Sequence, residues 1–355
     1  MNFEEFKQQL MDDLKQMLSA RTGSEVSVEA NQVQKLQQES YDGIIVKKDN
    51  LSIGVNLDIT RYYSDLEHGR SYQDVLHSAI NAVEKGFDEA PRLDISQLMN
   101  YEVMKHHLIT QLIPVAGNED MLAVMPYKQI EDLALVYRFK VGSDEFGQAT
   151  ILVKNDLLRR LDITAEQIFE DAMISSPKEA EPSLRNMFEV TAELAGEDLF
   201  ELLGEVDSPV MQMYVCTNKS TYLGASVLMY PGMMDIAADK LGGDFYVIPS
   251  SIHETLLIPA KDVDSFRDLE KMVREVNETQ VAPEERLSDN VYHYDAKERV
   301  FELAQHYEER VAGQERDSDG RDSVLKDLSA KSKEVAQKTP KENSAPKKSR
   351  AEESL

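Results

Sequence analysis

Apolar residues recur at helical spacing from the start of the chain: Phe3, Phe6, Leu10, Leu14, Met17 and Leu18, with Glu4, Lys7, Asp13 and Lys15 between them. The pattern predicts an amphipathic helix with one stripe to bury. Its polar face is mixed in sign rather than rich in Lys and Arg, which favours docking on its own domain over lying on a membrane. The period then shortens. Residues 41–59 carry two β-rich runs around Lys47-Lys48-Asp49-Asn50, a hairpin signal. A helix is predicted near Ser71–Gly86, with Val75, Leu76, Ala79, Ile80 and Val83 on its apolar face.

A second hairpin is predicted over Leu133–Val153, turning at Gly142–Gly147, with helices at Asn155–Leu161 and Thr164–Ile174 after it. A third covers Met211–Met229, turning at Thr217–Thr221, with helix Gly232–Leu241 after it. Strands near Asp244–Ile248 and Thr255–Pro259, a helix at Val263–Val276 and a final helix over Ala296–Val311 complete the pattern. Hairpins that lead into helices predict an α+β fold, with repeated hairpin-then-helix units forming mixed sheets covered by helices. Residues 1–311 form this region, as one large domain or two closely packed subdomains divided near 175–208.

Composition changes the picture at the C-terminal end. Residues 312–355 read as a disordered polar tail, because from Glu315 to Leu355 there are 10 basic and 9 acidic residues and few large apolar ones. Lys347, Lys348 and Arg350 are read as part of a solubilising tail rather than as a nucleic-acid contact. The whole chain of 355 residues carries 65 acidic and 39 basic side chains, a formal charge of −26. Residues 1–314 hold 56 acidic and 29 basic ones, or −27. Such a surplus excludes a broad nucleic-acid surface on the folded part, since that affinity rests on Lys and Arg neutralising phosphates, and it favours a basic protein partner. The window Asp162–Asp207 holds −11 of this charge. Part of it, Ser183–Leu203, has helical spacing and reads as a solvated acidic face on a core helix, without the ordered spacing of a calcium loop. The first residues lack the basic start and apolar run of a signal peptide. No stretch approaches the ~20 apolar residues of a spanning helix, so no membrane is expected. The single Cys216 points to a reducing, cytoplasmic setting.

The familiar catalytic signatures are missing: no Gly-rich phosphate loop, no Gly-x-Ser-x-Gly elbow and no pair of cysteines for zinc. His253-Glu254 begins like a zinc-protease helix, but Leu257 stands where the second histidine belongs. His106-His107 lies in an alternating run, which sends the two rings to opposite faces of a strand. No metal and no cofactor is therefore expected. The densest polar cluster is Pro249-Ser250-Ser251-Ile252-His253-Glu254, between two apolar strands. Ser250 or Ser251 would serve as nucleophile with His253 as base and Glu254 as its orienter, helped by Asn218 or replaced by a Cys216/His253 dyad. The same residues also fit a helix capping box, Ser251-x-x-Glu254, with a structural purpose only.

Several segments carry a resemblance. Met-Tyr-Val-Cys-Thr-Asn (213–218), Gly-Ala-Ser-Val-Leu-Met-Tyr (224–230), Asp-Phe-Tyr-Val-Ile-Pro-Ser-Ser-Ile-His-Glu (244–254), Leu-Ser-Asp-Asn-Val-Tyr-His-Tyr-Asp (287–295), Glu-Asp-Leu-Ala-Leu-Val-Tyr (131–137) and Tyr-Tyr-Ser-Asp-Leu-Glu-His-Gly (62–69) resemble a bacterial family catalogued as domain of unknown function 5688, met mostly in gut Firmicutes. The resemblance spans roughly residues 35–300. It implies a cytosolic bacterial protein with recurring polar positions at Asp132, Asn218, Ser250, Ser251, His253 and Glu254, and brings no activity or substrate with it. The sequence is read as that of a non-catalytic interaction or accessory protein. The alternatives are a hydrolase-like enzyme using the Ser250–Glu254 turn, or an acidic mimic of DNA.

Overall fold

The helix predicted at the start of the chain is α1, Phe3–Thr22, in a computed structural model that describes residues 1–37, 40–49, 54–89, 95–144, 147–195 and 212–314. The Asn2 side chain accepts from the Glu5 amide at 2.9 Å while the Glu5 carboxylate accepts from the Asn2 amide at 3.0 Å, so each satisfies a donor that the helix start leaves open. Phe6, Leu10, Leu14 and Leu18 form one fully buried stripe. It packs on an antiparallel sheet of β1 (Val26–Val33), β2 (Tyr41–Lys48) and β3 (Val55–Asp58), together with α2 (Ile59–Glu67) and α3 (Tyr72–Asp88). The expected hairpin at 41–59 is β2–β3; residues 50–53 of its turn lie outside the described residues. β1 has no clear counterpart in the sequence pattern, because its Glu, Asn and Gln side chains leave only Val26 buried.

The second sheet holds β4 (Leu108–Pro114), β5 (Tyr127–Ile130), β6 (Leu133–Asp144) and β7 (Gly147–Leu152). β6 is its centre: β4 runs along one side, and β5 and β7 follow each other along the other. The β6–β7 hairpin and the helices after it, α4 (Asn155–Leu161) and α5 (Ala165–Glu179), stand where the pattern put them. His106 and His107 lie in a 3₁₀ turn, Lys105–His107, rather than in an alternating strand. The strand starts only at Leu108, where the Ser176 hydroxyl of α5 donates to the Leu108 carbonyl at 3.3 Å.

The third sheet has the order β13-β12-β10-β11-β9-β8, from β8 (Pro182–Asn186), β9 (Tyr214–Asn218), β10 (Phe245–Ser251), β11 (Glu254–Pro259), β12 (Tyr292–Asp295) and β13 (Val300–Leu303). Helices α6 (Met187–Ala195), α7 (Met233–Leu241) and α8 (Phe266–Thr279) belong to this part. The hairpin expected at Met211–Met229 is half strand: β9 pairs with β8 and β11, and Gly224–Met229 is a 3₁₀ turn. Residues 224–228 are all buried, so the run is apolar without alternation, and such a run does not distinguish strand from helix. The helix read over Ser183–Leu203 starts only at Met187, since residues 182–186 complete the sheet edge beside β9; Leu199, Leu202 and Leu203 lie outside the described residues. The final helix does not start at Ala296. Asp295 accepts from the Lys297 and Glu298 amides at 3.1 and 2.9 Å and bends the chain into β13, and the helical segment is 304–314.

Every described pairing is antiparallel, so the sheets are not mixed; β10–β11 is a direct hairpin, while the neighbours β9–β11 and β10–β12 are joined by longer connections. The fold is α+β. The chain divides into two compact units, Met1–Ala304 and Gln305–Leu355. β8 falls inside the 175–208 region where a division of the first unit was expected, and its pairing with β9 keeps it in the third sheet. The expected polar tail, from residue 315 on, lies outside the described residues.

Candidate functional site

The polar segment Pro249–Glu254 is the tip of the β10–β11 hairpin. The pairing register shifts between Ile248 and Ser251, which bulges Pro249-Ser250, and Ser251 then pairs with Glu254 across a two-residue turn of Ile252 and His253. Ser251 Oγ accepts from the His253 amide at 3.0 Å. The Ser-x-x-Glu spacing thus closes a hairpin rather than starting a helix, which corrects the capping-box alternative: a serine hydroxyl can hold a turn by bonding two residues ahead.

His253 is fixed from three directions. Its carbonyl accepts from Thr217 Oγ1 at 2.7 Å, and its Nδ1 accepts from the Leu223 amide at 3.2 Å. Because an N–H points at Nδ1, the neutral ring carries its proton on Nε2, which lies 3.5 Å from a Glu285 carboxylate oxygen. The Glu285 carbonyl in turn accepts from the Ile252 amide at 2.8 Å. The ring of Tyr222 lies 6.0 Å from the imidazole. Asn218, on the adjacent turn, is buried and fully engaged: Nδ2 donates to the Tyr222 carbonyl at 2.7 Å, and Oδ1 accepts from the Ser220 amide and hydroxyl at 3.1 and 2.8 Å.

Ser251, His253 and Asn218 therefore come together, with Thr217 and Glu285 as partners that the sequence pattern did not mark. Ser250 sits in the bulge and Glu254 at the start of β11, both half-buried. Cys216 is elsewhere. Alternate residues of a strand face opposite ways; Thr217 reaches the His253 carbonyl, while Cys216 is fully buried in the apolar cluster with Leu223, Val247 and Leu257. Burial pushes its thiol up to about 12, partly offset by the Thr255 side chain, so the thiolate needed for a Cys216/His253 dyad does not form near neutral pH. For the serines, the one free lone pair of a neutral imidazole is already taken by the Leu223 amide, and among the described residues no hydrogen bond joins either serine hydroxyl to the ring.

Two further features carry the region. Asp132 accepts from Ser288 Oγ at 2.7 Å, Asn290 Nδ2 at 3.0 Å and Tyr292 OH at 2.5 Å, and so ties the β5–β6 turn to the segment entering β12. Burial first, then the Asp132 charge, holds the Tyr292 phenol well above its ordinary value. Arg138, on β6, donates from Nε to Thr150 Oγ1 at 2.8 Å and from Nη1 to Gln111 Oε1 at 2.9 Å. His253 and Arg138 line one cleft of ≈ 540 Å³. Asp132 was visible in the sequence through the resemblance; Arg138 had only the signal of a cation inside the otherwise apolar run Leu133–Phe139. Among the described residues no three His, Cys, Asp or Glu side chains are placed to hold a metal ion, and no helix is long and apolar enough to cross a membrane.

The architecture defines an α+β protein of three antiparallel sheets whose connecting segments meet around this cleft. The chain belongs to the family of unknown function DUF5688, whose model matches residues 3–296, and so takes in α1 and the whole first sheet. Neither a curated protein nor a solved structure matches the chain.

Proposed function

We propose that the protein is a cytosolic bacterial interaction or accessory protein that acts by binding and performs no covalent catalytic step. The observation that carries this reading is the engagement of His253: the ring nitrogen that would take a proton from Ser250 or Ser251 accepts the Leu223 amide instead. Asn218 and Ser251 are likewise bonded to the backbone of the turns that present them. The charge of −27 over residues 1–314 supports a basic protein as the partner.

The test is covalent labelling with a fluorophosphonate, which reports an activated serine, followed by capture on the full chain at low and high salt. The expected outcome is no label and a basic partner retained at low salt and released at high salt. Label on the wild type that disappears in both Ser251→Ala and His253→Ala would overturn the reading in favour of a hydrolase.

A further inference from the structure

Alternate residues of β6 share a face, which sets Arg138 beside Ala134 and Val136, members of a buried apolar cluster with Ile113, Met121 and Met125. A guanidinium does not give up its proton in a protein, and burial here works against its charge. Its two hydrogen-bond partners, Thr150 and Gln111, are neutral. No carboxylate among the described residues lies within ion-pair distance of it. Arg138 is half-buried at the cleft wall, and a partly desolvated cation given only neutral partners gains from an anion that reaches it.

The cleft that Arg138 lines has the volume of a small-molecule site, ≈ 540 Å³. Lys35 and Lys154 line it as well; both are exposed, and neither has a carboxylate within ion-pair distance among the described residues. In residues 1–314, where 56 acidic side chains outnumber 29 basic ones, a cleft lined by the three cations Lys35, Arg138 and Lys154 against the two acids Glu284 and Glu285 is a local departure from the acidic surplus. Met121 and Leu152 add apolar wall, and Tyr222 an aromatic one. Glu284 and Glu285 also belong to the lining, with Glu285 facing His253, and they disfavour a ligand of high negative charge.

We infer that this cleft binds a small organic molecule with a single oxyanion head, a carboxylate or a phosphate monoester, held by Arg138 and Lys154 with its apolar body against Met121 and Leu152. The planar guanidinium suits either head, because its N–H groups diverge in a fork that meets two oxygens at once. The site stands apart from the question of catalysis: an anion held without turnover and one that is turned over both need Arg138.

Titration calorimetry on the full chain at low salt, with phenyl phosphate, benzoate and the uncharged benzyl alcohol as probes, tests the inference. At least one of the two anions binds, benzyl alcohol binds at least about ten-fold more weakly, and Arg138→Gln weakens the anion by about ten-fold or more. Preference for phenyl phosphate or for benzoate identifies the head. Lys219→Ala, which removes an exposed lysine paired with Glu181 outside the cleft, leaves binding unchanged. Should Arg138→Gln not fold, the exposed pair Lys35→Ala and Lys154→Ala carries the test, with about a ten-fold joint loss that added salt reproduces in the wild type. The inference is overturned if neither anion binds at roughly 10 mM, if benzyl alcohol binds as well as the anions, or if the cleft substitutions leave affinity unchanged.

Discussion

Several buried side chains hold their protons beyond the ordinary range, Tyr292 and Tyr101 among them. Burial pushes the Cys216 thiol from 9.0 to about 12, and the Tyr137 and Tyr230 phenols from 10.0 to about 12. For each, the folded chain binds the proton more tightly than the unfolded chain. The stability these groups confer is fully present below pH 9 and is lost as the pH climbs through the raised values towards about 12. Urea unfolding followed at stepped pH should therefore give a midpoint that is level from about pH 7.5 to 9 and falls steadily between about 9.5 and 11.5. A midpoint unchanged at pH 11 would show that these side chains are wetter than the packing implies. The same burial explains why Cys216, prominent as the only cysteine, is a core residue.

At the scale of elements, the turn Asn218–Gly224 and the hairpin tip Ser251–Glu254 are one construction. Gly224 is where they touch. A Cβ built there would lie 2.1 Å from Thr217 Oγ1, 2.5 Å from the His253 carbonyl oxygen and 2.8 Å from the Asn218 amide nitrogen. Two of those three neighbours are backbone and cannot swing aside. Gly224→Ala should cost about 1–3 kcal/mol, from overpacking and loss of the Thr217–His253 bond, read as a lowered denaturant midpoint at unchanged slope. Gly232→Ala meets open space and differs in kind, its cost coming from a backbone φ of +77° alone. This construction also marks how far the sequence could be read. The β6–β7 hairpin was legible because Leu133–Phe139 is a long apolar run ending in a turn of glycine and acidic residues. The Gly224–Met229 turn was not, because its pairing partner is a loop tip some thirty residues away rather than the strand before it. For the site, the polar cluster Pro249–Glu254 stood out by composition, and the structure does bring Ser251, His253 and Asn218 together. Arg138 did not stand out. A charge inside a strand reads as an outward-facing residue, and only the fold shows that its face is turned towards Met121 and Leu152.

For the whole molecule, net charge is the dominant long-range term. A charge of −27 over residues 1–314 repels itself, and exposed ion pairs such as Lys85–Glu89 and Arg159–Asp156 offset little of it. Raising sodium chloride from about 20 to 500 mM shortens the screening length from about 20 Å to about 4 Å. Screening should then stabilise the fold by about 1 kcal/mol, a rise of roughly 1.5 °C in Tm for a unit the size of Met1–Ala304. Scanning calorimetry or thermal circular dichroism at the two salt concentrations measures it, and a fall in Tm would mean that attractive pairs outweigh the repulsion.

The bond from Gln37 to the Arg286 carbonyl joins positions 249 residues apart, and that from Ser288 to Asp132 joins positions 156 apart. Both draw on the short segment before β12 that also supplies Glu284 and Glu285 to the cleft. Synthesis on the ribosome delivers a chain from its N-terminus onward, and elements fold as they emerge. The first two sheets can form while this segment is still unmade, so one wall of the cleft is among the last pieces to arrive. A chain cut short before residue 284 would carry Arg138 on its strand without the carboxylates that shape the cleft around it.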